Sequence, residues 1–343
     1  MGLCRWTVLF PVGCVIVGCV ILLSACAPSP EPYGEVLGQV QIADDHFTTR
    51  DGQTLPYRLW PANPNPVRGV LITLHGFNDY SYSFDSLGAY LAANQHFSTY
   101  AYDQRGFGAA ENRGSWAGID TYVQDLRDFC DLIRQRHPGV PVYVLGESMG
   151  GAIAMVAFTS TVPPDADGII LDAPAVWARP TMPWYQRAAL WVGARLFPWL
   201  SLTGDGVEIV ASDNRELLIS LGRDPLVIHE TKVGAMYGLT NLMDAALASA
   251  ENLNTPALIL IGDLDEIVPN HASALMLSRL PPDPVNERTV VVYSQGYHML
   301  TRDLQGQVVV EDIASWLQAP DQPLPSGEDN LDLEAWIKEN LPN

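Results

Sequence analysis

The chain is poor in positive charge and in cysteine. Lysine and arginine together number 19 against 39 aspartates and glutamates, a net charge of −20 over 343 residues. Such a surface repels a phosphate backbone, which excludes nucleic acid as a partner. Of the five cysteines, Cys4, Cys14, Cys19 and Cys26 lie at the extreme amino terminus. Only Cys130 is left for the body of the protein, and one thiol cannot close an intramolecular disulfide. It falls at helical spacing with Leu126, Phe129 and Ile133, the position of a core thiol. The seven histidines are scattered without paired ligand spacing, so neither a metal nor any other cofactor is expected. No internal repeat is evident. What is present, 48% apolar and 17% charged residues, suits one large α/β domain or two smaller ones with a substantial core.

The first residues are set apart from this body. Arg5 precedes an almost wholly apolar run, Val8 to Leu23, and Ser24, Ala25 and Cys26 follow. The segment resembles a bacterial lipoprotein signal with its lipobox. That resemblance implies a signal peptide over 1–25 and acylation of Cys26. A plain transmembrane anchor is the competing reading, because the run nearly reaches the roughly 18–20 residues a span requires. Pro11, and the abrupt change to Pro-rich sequence after Ala27, favour the lipoprotein. Either way the body is exported and anchored to a membrane. Ala27 gives no retention signal of the aspartate kind, which points to the outer membrane where the host has one. Residues 26–38 then read as a linker that extends at most about 40 Å.

Beyond the linker, short apolar runs alternate with helical patterns. Residues 39–60 read as two antiparallel strands joined at Arg50, Asp51, Gly52 and Gln53. Continuous apolar runs begin at Gly69, Ser98, Val140, Gly168, Ala257 and Thr289, the pattern of strands buried on both faces. Helices are predicted over Tyr122 to Arg136 and Val308 to Leu317. The fold class is therefore α/β, with a mostly parallel sheet covered by helices on both faces. The interval from Leu171 to Ala257 is far longer than one crossover needs. It is predicted to form a helical cap over 176–251, with helices at Trp184 to Phe197, Arg215 to Leu221 and Glu230 to Ser249. Trp177, Trp184, Trp191 and Trp199 concentrate in its first third. The core takes 39–175 and 252–319, and 320–343 read as an acidic tail without chemistry.

The residues Gly146-Glu147-Ser148-Met149-Gly150-Gly151 sit between a strand pattern and a helix pattern. That is the context of a nucleophile elbow, a turn so tight that the positions two before and two after the serine must be small. An elbow serine needs a histidine base and an orienting acid at later strand ends. The run from Ala257 leads into Gly262 to Asp265, and the run from Thr289 leads into His298. Catalytic groups of open parallel sheets gather beyond the carboxyl ends of the strands. The expected triad is thus Ser148, Asp265 and His298. Asp263, Glu266 and Asp172 compete for the acid role. Asp265 is preferred because its distance from Gly262 lets the loop turn first. The oxyanion hole is expected from the N–H groups of Met149 and of Phe77, where Gly76 lets the backbone turn the next N–H inward. His75 is expected to be a structural hydrogen-bonding residue.

His75-Gly76-Phe77, the Asp103 to Gly108 segment, Gly146 to Gly150, Gly262 to Asp265 and Tyr297-His298 together resemble the monoacylglycerol lipase and lysophospholipase-like α/β-hydrolases, also described as serine aminopeptidase-like. The resemblance covers about residues 40–318 in the family's motif order. It implies an eight-stranded α/β-hydrolase sheet with a cap between its sixth and seventh strands. It also implies hydrolysis of monoacylglycerols, lysophospholipids or small esters. Many relatives have histidine where this chain has Gln104, a departure expected to leave the chemistry intact. Three other readings stay open: a cofactor-free haloperoxidase side activity; a peptidase using Glu208, Glu216 or Glu230 to hold a substrate amine; and a lipoprotein that only binds a ligand. A carboxylate-nucleophile enzyme is disfavoured by Ser148 itself. The aromatic cap helix could line an acyl pocket, lie in a membrane interface, or simply pack the cap on the core. Oligomeric state is not legible.

Overall fold

A computed structural model describes residues 28–31, 33–63, 66–204, 209–282 and 287–341. The apolar run and Cys26 lie outside the described residues. The first strands are β1 (Gln41–Ile42), β2 (His46–Thr48) and β3 (Thr54–Trp60), then β4 (Gly69–Leu74). Helix α1 (Asp85–Asn94), β5 (Phe97–Tyr102), α2 (Ile119–Arg136), β6 (Val142–Glu147), α3 (Met149–Phe158) and β7 (Gly168–Asp172) continue the alternation. The insert holds α4 (Trp184–Leu196), β8 (Ser201–Thr203), α5 (Arg215–Leu221), β9 (Glu230–Lys232) and α6 (Val233–Ser249). The chain closes with β10 (Ala257–Gly262), α7 (Asn270–Arg279), β11 (Arg288–Tyr293), α8 (Gly306–Gln318) and α9 (Leu333–Asn340).

Among the described residues the main sheet runs β1-β2-β3-β5-β4-β6-β7-β10-β11. Pairing is antiparallel as far as β3 with β5 and parallel from there to β11. The parallel strands alternate between two cores, as a two-residue side-chain period demands. Val70, Ile72 and Leu74 of β4 face one core with Leu126 and Phe129 of α2 and Ile153 of α3. Leu71, between them, faces the other with Leu87 of α1 and Ile313 and Trp316 of α8. Cys130 is a free thiol buried in the first core. The chain leaves β4 toward β5 and returns on β4's other side to β6. That reversal is the switch point beside which open sheets place their sites.

Three details differ from the expectations. Nine strands form the sheet rather than eight, because Gln41 and Ile42 pair with Thr48 and Phe47 as a short edge strand. The insert is not purely helical: β8 and β9 form a two-stranded ribbon, with Leu202 opposite Thr231. The last helix of the insert starts at Val233 rather than Glu230, since Lys232 is extended (φ −66°, ψ 136°) and Thr231 is taken by the ribbon. That helix is also rooted in the main body, with Leu242, Ala246 and Leu247 buried in the first core. In the acidic tail, Leu324 is buried and Trp336 Nε1 donates to Asp263 Oδ1 at 3.0 Å. Among the described residues no helix is long and apolar enough to cross a membrane.

Candidate active site

Strand β6 ends at Glu147, and Ser148 follows with φ 54° and ψ −113°. A non-glycine residue in that region carries about 1–3 kcal/mol of strain, which the surroundings must hold in place. The Ser148 N–H donates to the Asp172 carbonyl at 2.8 Å, and the Ser148 carbonyl accepts from Ala152 and Ala175 at 3.0 and 2.9 Å. The need for small neighbours is explicit in the packing. A Cβ on Gly146 would lie 2.3 Å from the Gly150 carbonyl carbon, and one on Gly150 would lie 2.2 Å from the Leu74 oxygen. Helix α3 starts at Met149, so the hydroxyl stands at its positive end.

Asp265 and His298 come together as the strand ends suggested. His298 Nδ1 donates to Asp265 Oδ2 at 2.7 Å. The other oxygen, Oδ1, accepts from the N–H groups of Ile267 and Val268 at 2.7 and 2.9 Å. The carboxylate is thus held from both sides, and both side chains are buried. Burial alone would lower the imidazole's pKa. The charge and hydrogen bond of Asp265, helped by Glu147 and Asp172, outweigh it and leave His298 above its ordinary value. No hydrogen bond joins the Ser148 hydroxyl to the imidazole, and that hydroxyl has no partner among the described residues. Such bonds commonly tighten only when substrate is bound.

The competing acids have other tasks. Asp263 Oδ1 accepts from Trp336 and Asn270, and Glu266 accepts from the Val210 N–H. Asp172 is buried with neither carboxyl oxygen hydrogen-bonded. Burial first, then the charge of Glu147, pushes its pKa well above the carboxylate range. A carboxyl without a hydrogen-bond partner among the described residues does not orient the imidazole as Asp265 does.

The N–H groups of Phe77 and Met149 donate no hydrogen bond among the described residues. Both are therefore free to receive an oxyanion. His75 does not face the chemistry. It is fully buried, its Nδ1 donates to the Gly76 carbonyl at 2.8 Å, and its Nε2 accepts from the Gln104 N–H at 3.0 Å. The Gln104 side chain returns a bond to the His75 carbonyl at 2.8 Å. Burial lowers the His75 pKa, in keeping with a neutral ring fixed by its two partners.

Sequence reasoning missed Arg302. Four residues beyond His298, its Nη1 donates to Asp79 Oδ2 at 2.8 Å and its Nη2 to Glu147 Oε1 at 2.5 Å. One buried guanidinium thus ties together the loop after β4, the elbow and the histidine loop. Burial works against its charge, and Glu147 and Asp79 more than offset that, raising its pKa. The insert reaches the same place. The Ala211 carbonyl accepts from His298 N–H at 3.2 Å, and Ser212 Oγ donates to Asp303 Oδ1 at 2.5 Å. A second missed cluster lies farther off, where Arg105 bonds both Asp51 and Asp125 and fixes the segment after β5.

Among the described residues no group of three His, Cys, Asp or Glu side chains could hold a metal ion. A strained serine at a helix start, an imidazole oriented by a carboxylate and two unengaged N–H groups are the parts that acyl transfer requires.

The comparisons agree with this geometry. The model of the serine aminopeptidase (S33) family matches residues 65–305. A monoacylglycerol lipase of Mycolicibacterium smegmatis is 27% identical over 282 residues, covering 80% of this chain and 96% of the relative. The monoglyceride lipase of Homo sapiens is 28% identical over 262 residues, covering 76% and 84%. The crystal structure of Paleococcus ferrophilus monoacylglycerol lipase aligns with a TM-score of 0.64 at 24% identity, covering 77% of this chain and 98% of its own. A soluble variant of the Saccharomyces cerevisiae monoglyceride lipase, in complex with a substrate analog, gives 0.63 at 21%, covering 84% and 98%. At those identities the structures speak for the fold alone. The chain belongs to the serine aminopeptidase (S33) family and is a hydrolase of the α/β-hydrolase fold, similar to monoacylglycerol lipases.

Proposed function

We propose that the protein is a serine carboxylic-ester hydrolase whose substrates are monoacylglycerols or lysophospholipids, and that it works from a membrane-anchored position in the cell envelope. The observation that carries the chemistry is the 2.7 Å bond between His298 and Asp265, on the sheet edge where Ser148 sits at positive φ. Ser148 Oγ attacks the ester carbonyl while His298 Nε2 takes its proton. Asp265 holds Nδ1–H and stabilises the imidazolium. The Phe77 and Met149 N–H groups receive the oxyanion. His298 returns the proton to the leaving alcohol, and water releases the acyl group by the same steps.

Two observations support a lipid substrate. Curated relatives of similar length are named monoacylglycerol or monoglyceride lipases. The cap also carries exposed Trp184, Phe197 and Trp199. For a peptidase, the acidic side chains suggested as amine ligands offer little. Glu216 and Glu230 are exposed, and Glu208 lies outside the described residues. Anchoring rests on the sequence of residues 1–26 alone.

Fluorophosphonate labelling, followed by a panel of monoacylglycerols, lysophospholipids and amino-acid amides, tests the proposal. Labelling with lipid hydrolysis is expected; labelling with only amide cleavage would replace the ester reading, and no labelling would remove the enzyme mechanism. The pH profile provides a further check. The base must be neutral and its pKa is raised, so kcat/KM is expected to climb with pH through a limb lying above 6.5. Asp265→Asn should shift that limb to lower pH, since burial is then less opposed. An unmoved limb would mean that it belongs to another group. The stability linkage has the opposite sense: the stability that His298 contributes is full below its unfolded pKa and is lost as pH rises through the folded one.

A further inference from the structure

We propose that Asp172 carries a proton and donates it to Glu147 Oε2, so that the two side chains hold one negative charge between them beside the nucleophile elbow. Asp172 is then a positioning residue: it keeps Glu147 where Glu147 anchors Arg302. The bond itself stands apart from the reaction proposed above; only its effect on turnover rests on that reading.

The two carboxyl groups are set side by side by the sheet. Glu147 closes β6, Asp172 closes β7, and the parallel register pairs them directly. Leu145 and Ile170, two residues before each, both lie in the core that α1 and α8 cover. The two-residue period of a strand therefore sends both carboxyls to that same face. Both are buried. Glu147 Oε1 accepts from Arg302 Nη2 at 2.5 Å. The three remaining oxygens, Glu147 Oε2 and both of Asp172, have no hydrogen-bond partner among the described residues. Two adjoining buried carboxylates oppose each other's charge, and each acceptor left unmet adds its own desolvation cost. One proton removes a charge and supplies the missing donor at once.

The surroundings decide which of the two holds it. Arg302 forks to Glu147 and Asp79 and makes no bond to Asp172, so the charge belongs on Glu147. On the other side of Asp172 the paired residue of β10 is Leu260, which has no side-chain donor. Among nearby titratable groups, His75 has both ring nitrogens engaged by Gly76 and Gln104, and Tyr293 gives its hydroxyl to Asp312. Asp303 accepts from Ser212 and from the Tyr297 N–H, and His298 bonds Asp265. Burial first, then the charge of Glu147, raises the Asp172 pKa, as does Asp303, while His298 and Arg302 act against the rise. The backbone of the same residue is engaged at the elbow, since the Asp172 carbonyl accepts the Ser148 N–H at 2.8 Å.

Infrared difference spectra of the whole protein, parent against Asp172→Asn at pH 7, read the proton directly. The parent should show the C=O stretch of a protonated carboxyl, shifted in D2O and missing from the variant; its absence would overturn the proposal. Glu147→Gln should move that band, because the acceptor changes from carboxylate to amide, and an unmoved band would mean that the proton is given elsewhere. Stability offers a second readout. A raised folded-state pKa gives stability that is full below the unfolded pKa and is lost as pH rises through the folded one. The urea midpoint of Asp172→Asn, which does not titrate, should therefore gain on the parent's as pH rises above about 4. A constant gap would show that folding adds no proton to Asp172 and would overturn the proposal. Both measurements are made without substrate, so they stand or fall apart from the serine mechanism. For turnover, Asp172→Asn keeps a donor for Glu147 and Asp172→Leu does not, so kcat/KM for a p-nitrophenyl ester should differ by about tenfold in favour of asparagine, the scale of one hydrogen bond to a charged group. Equal values would remove the positioning role.

Discussion

Ser148→Ala is expected to lower kcat for a p-nitrophenyl ester by about 10⁵- to 10⁶-fold, the scale seen when a nucleophile that works as part of a unit is removed. The loss should fall on kcat and leave substrate binding nearly intact, because the bond to the carbonyl carbon forms only on the way to the transition state. Stability should change by less than about 1 kcal/mol. The Ser148 hydroxyl has no hydrogen-bond partner to lose among the described residues, and an alanine Cβ occupies the same strained backbone (φ 54°). Steady-state kinetics and urea unfolding on the same preparation check both halves. Retained activity would end the serine mechanism. Lost activity with collapsed stability would show only that the elbow fails to fold.

The elbow was legible because its demands are local. A strand, a serine and glycines two positions either side are contiguous, and the 2.3 Å approach that excludes a Cβ at Gly146 is to Gly150 in the same tight turn; the 2.2 Å approach at Gly150 is to the Leu74 oxygen of the neighbouring strand β4. Asp265 and His298 were legible for a different reason. Each sits just beyond a buried apolar run, and a parallel sheet brings all such ends to one edge. The contacts of the segment before β1 were not legible. Pro28 to Gly38 has the composition of a flexible linker, and what binds it, Trp116, Arg105 and Asp51, lies far along the chain. The start of α6 was misjudged for the same reason. Glu230, Thr231 and Lys232 continue a helical pattern in sequence, but pairing with Ser201 to Thr203 draws them into a ribbon. The limit lay wherever a residue's role was set by a partner distant in the chain.

Arg302 is the strongest case, and its removal is the second large effect expected. Arg302→Met should cost about 3–5 kcal/mol, the penalty of breaking a buried ion pair by taking away one partner. Asp79 and Glu147 would be left facing each other's charge without a cation, and Glu147 Oε2 already lacks a hydrogen-bond partner. The kinetic loss should go beyond instability. Asp79 lies two residues from Phe77, Glu147 precedes Ser148, and Arg302 follows His298, so the guanidinium sets the relative position of all three loops. The Arg302 carbonyl also accepts from Asn214 Nδ2 at 3.0 Å, carrying the tie into the insert. Arg302→Lys keeps the charge but cannot fork to both carboxylates, and should recover stability more fully than kcat/KM. Urea midpoints and kcat/KM for the two variants separate these roles. If lysine restores both to the same degree, Arg302 supplies charge alone; if methionine moves neither, the three loops are held by other contacts and the network is incidental.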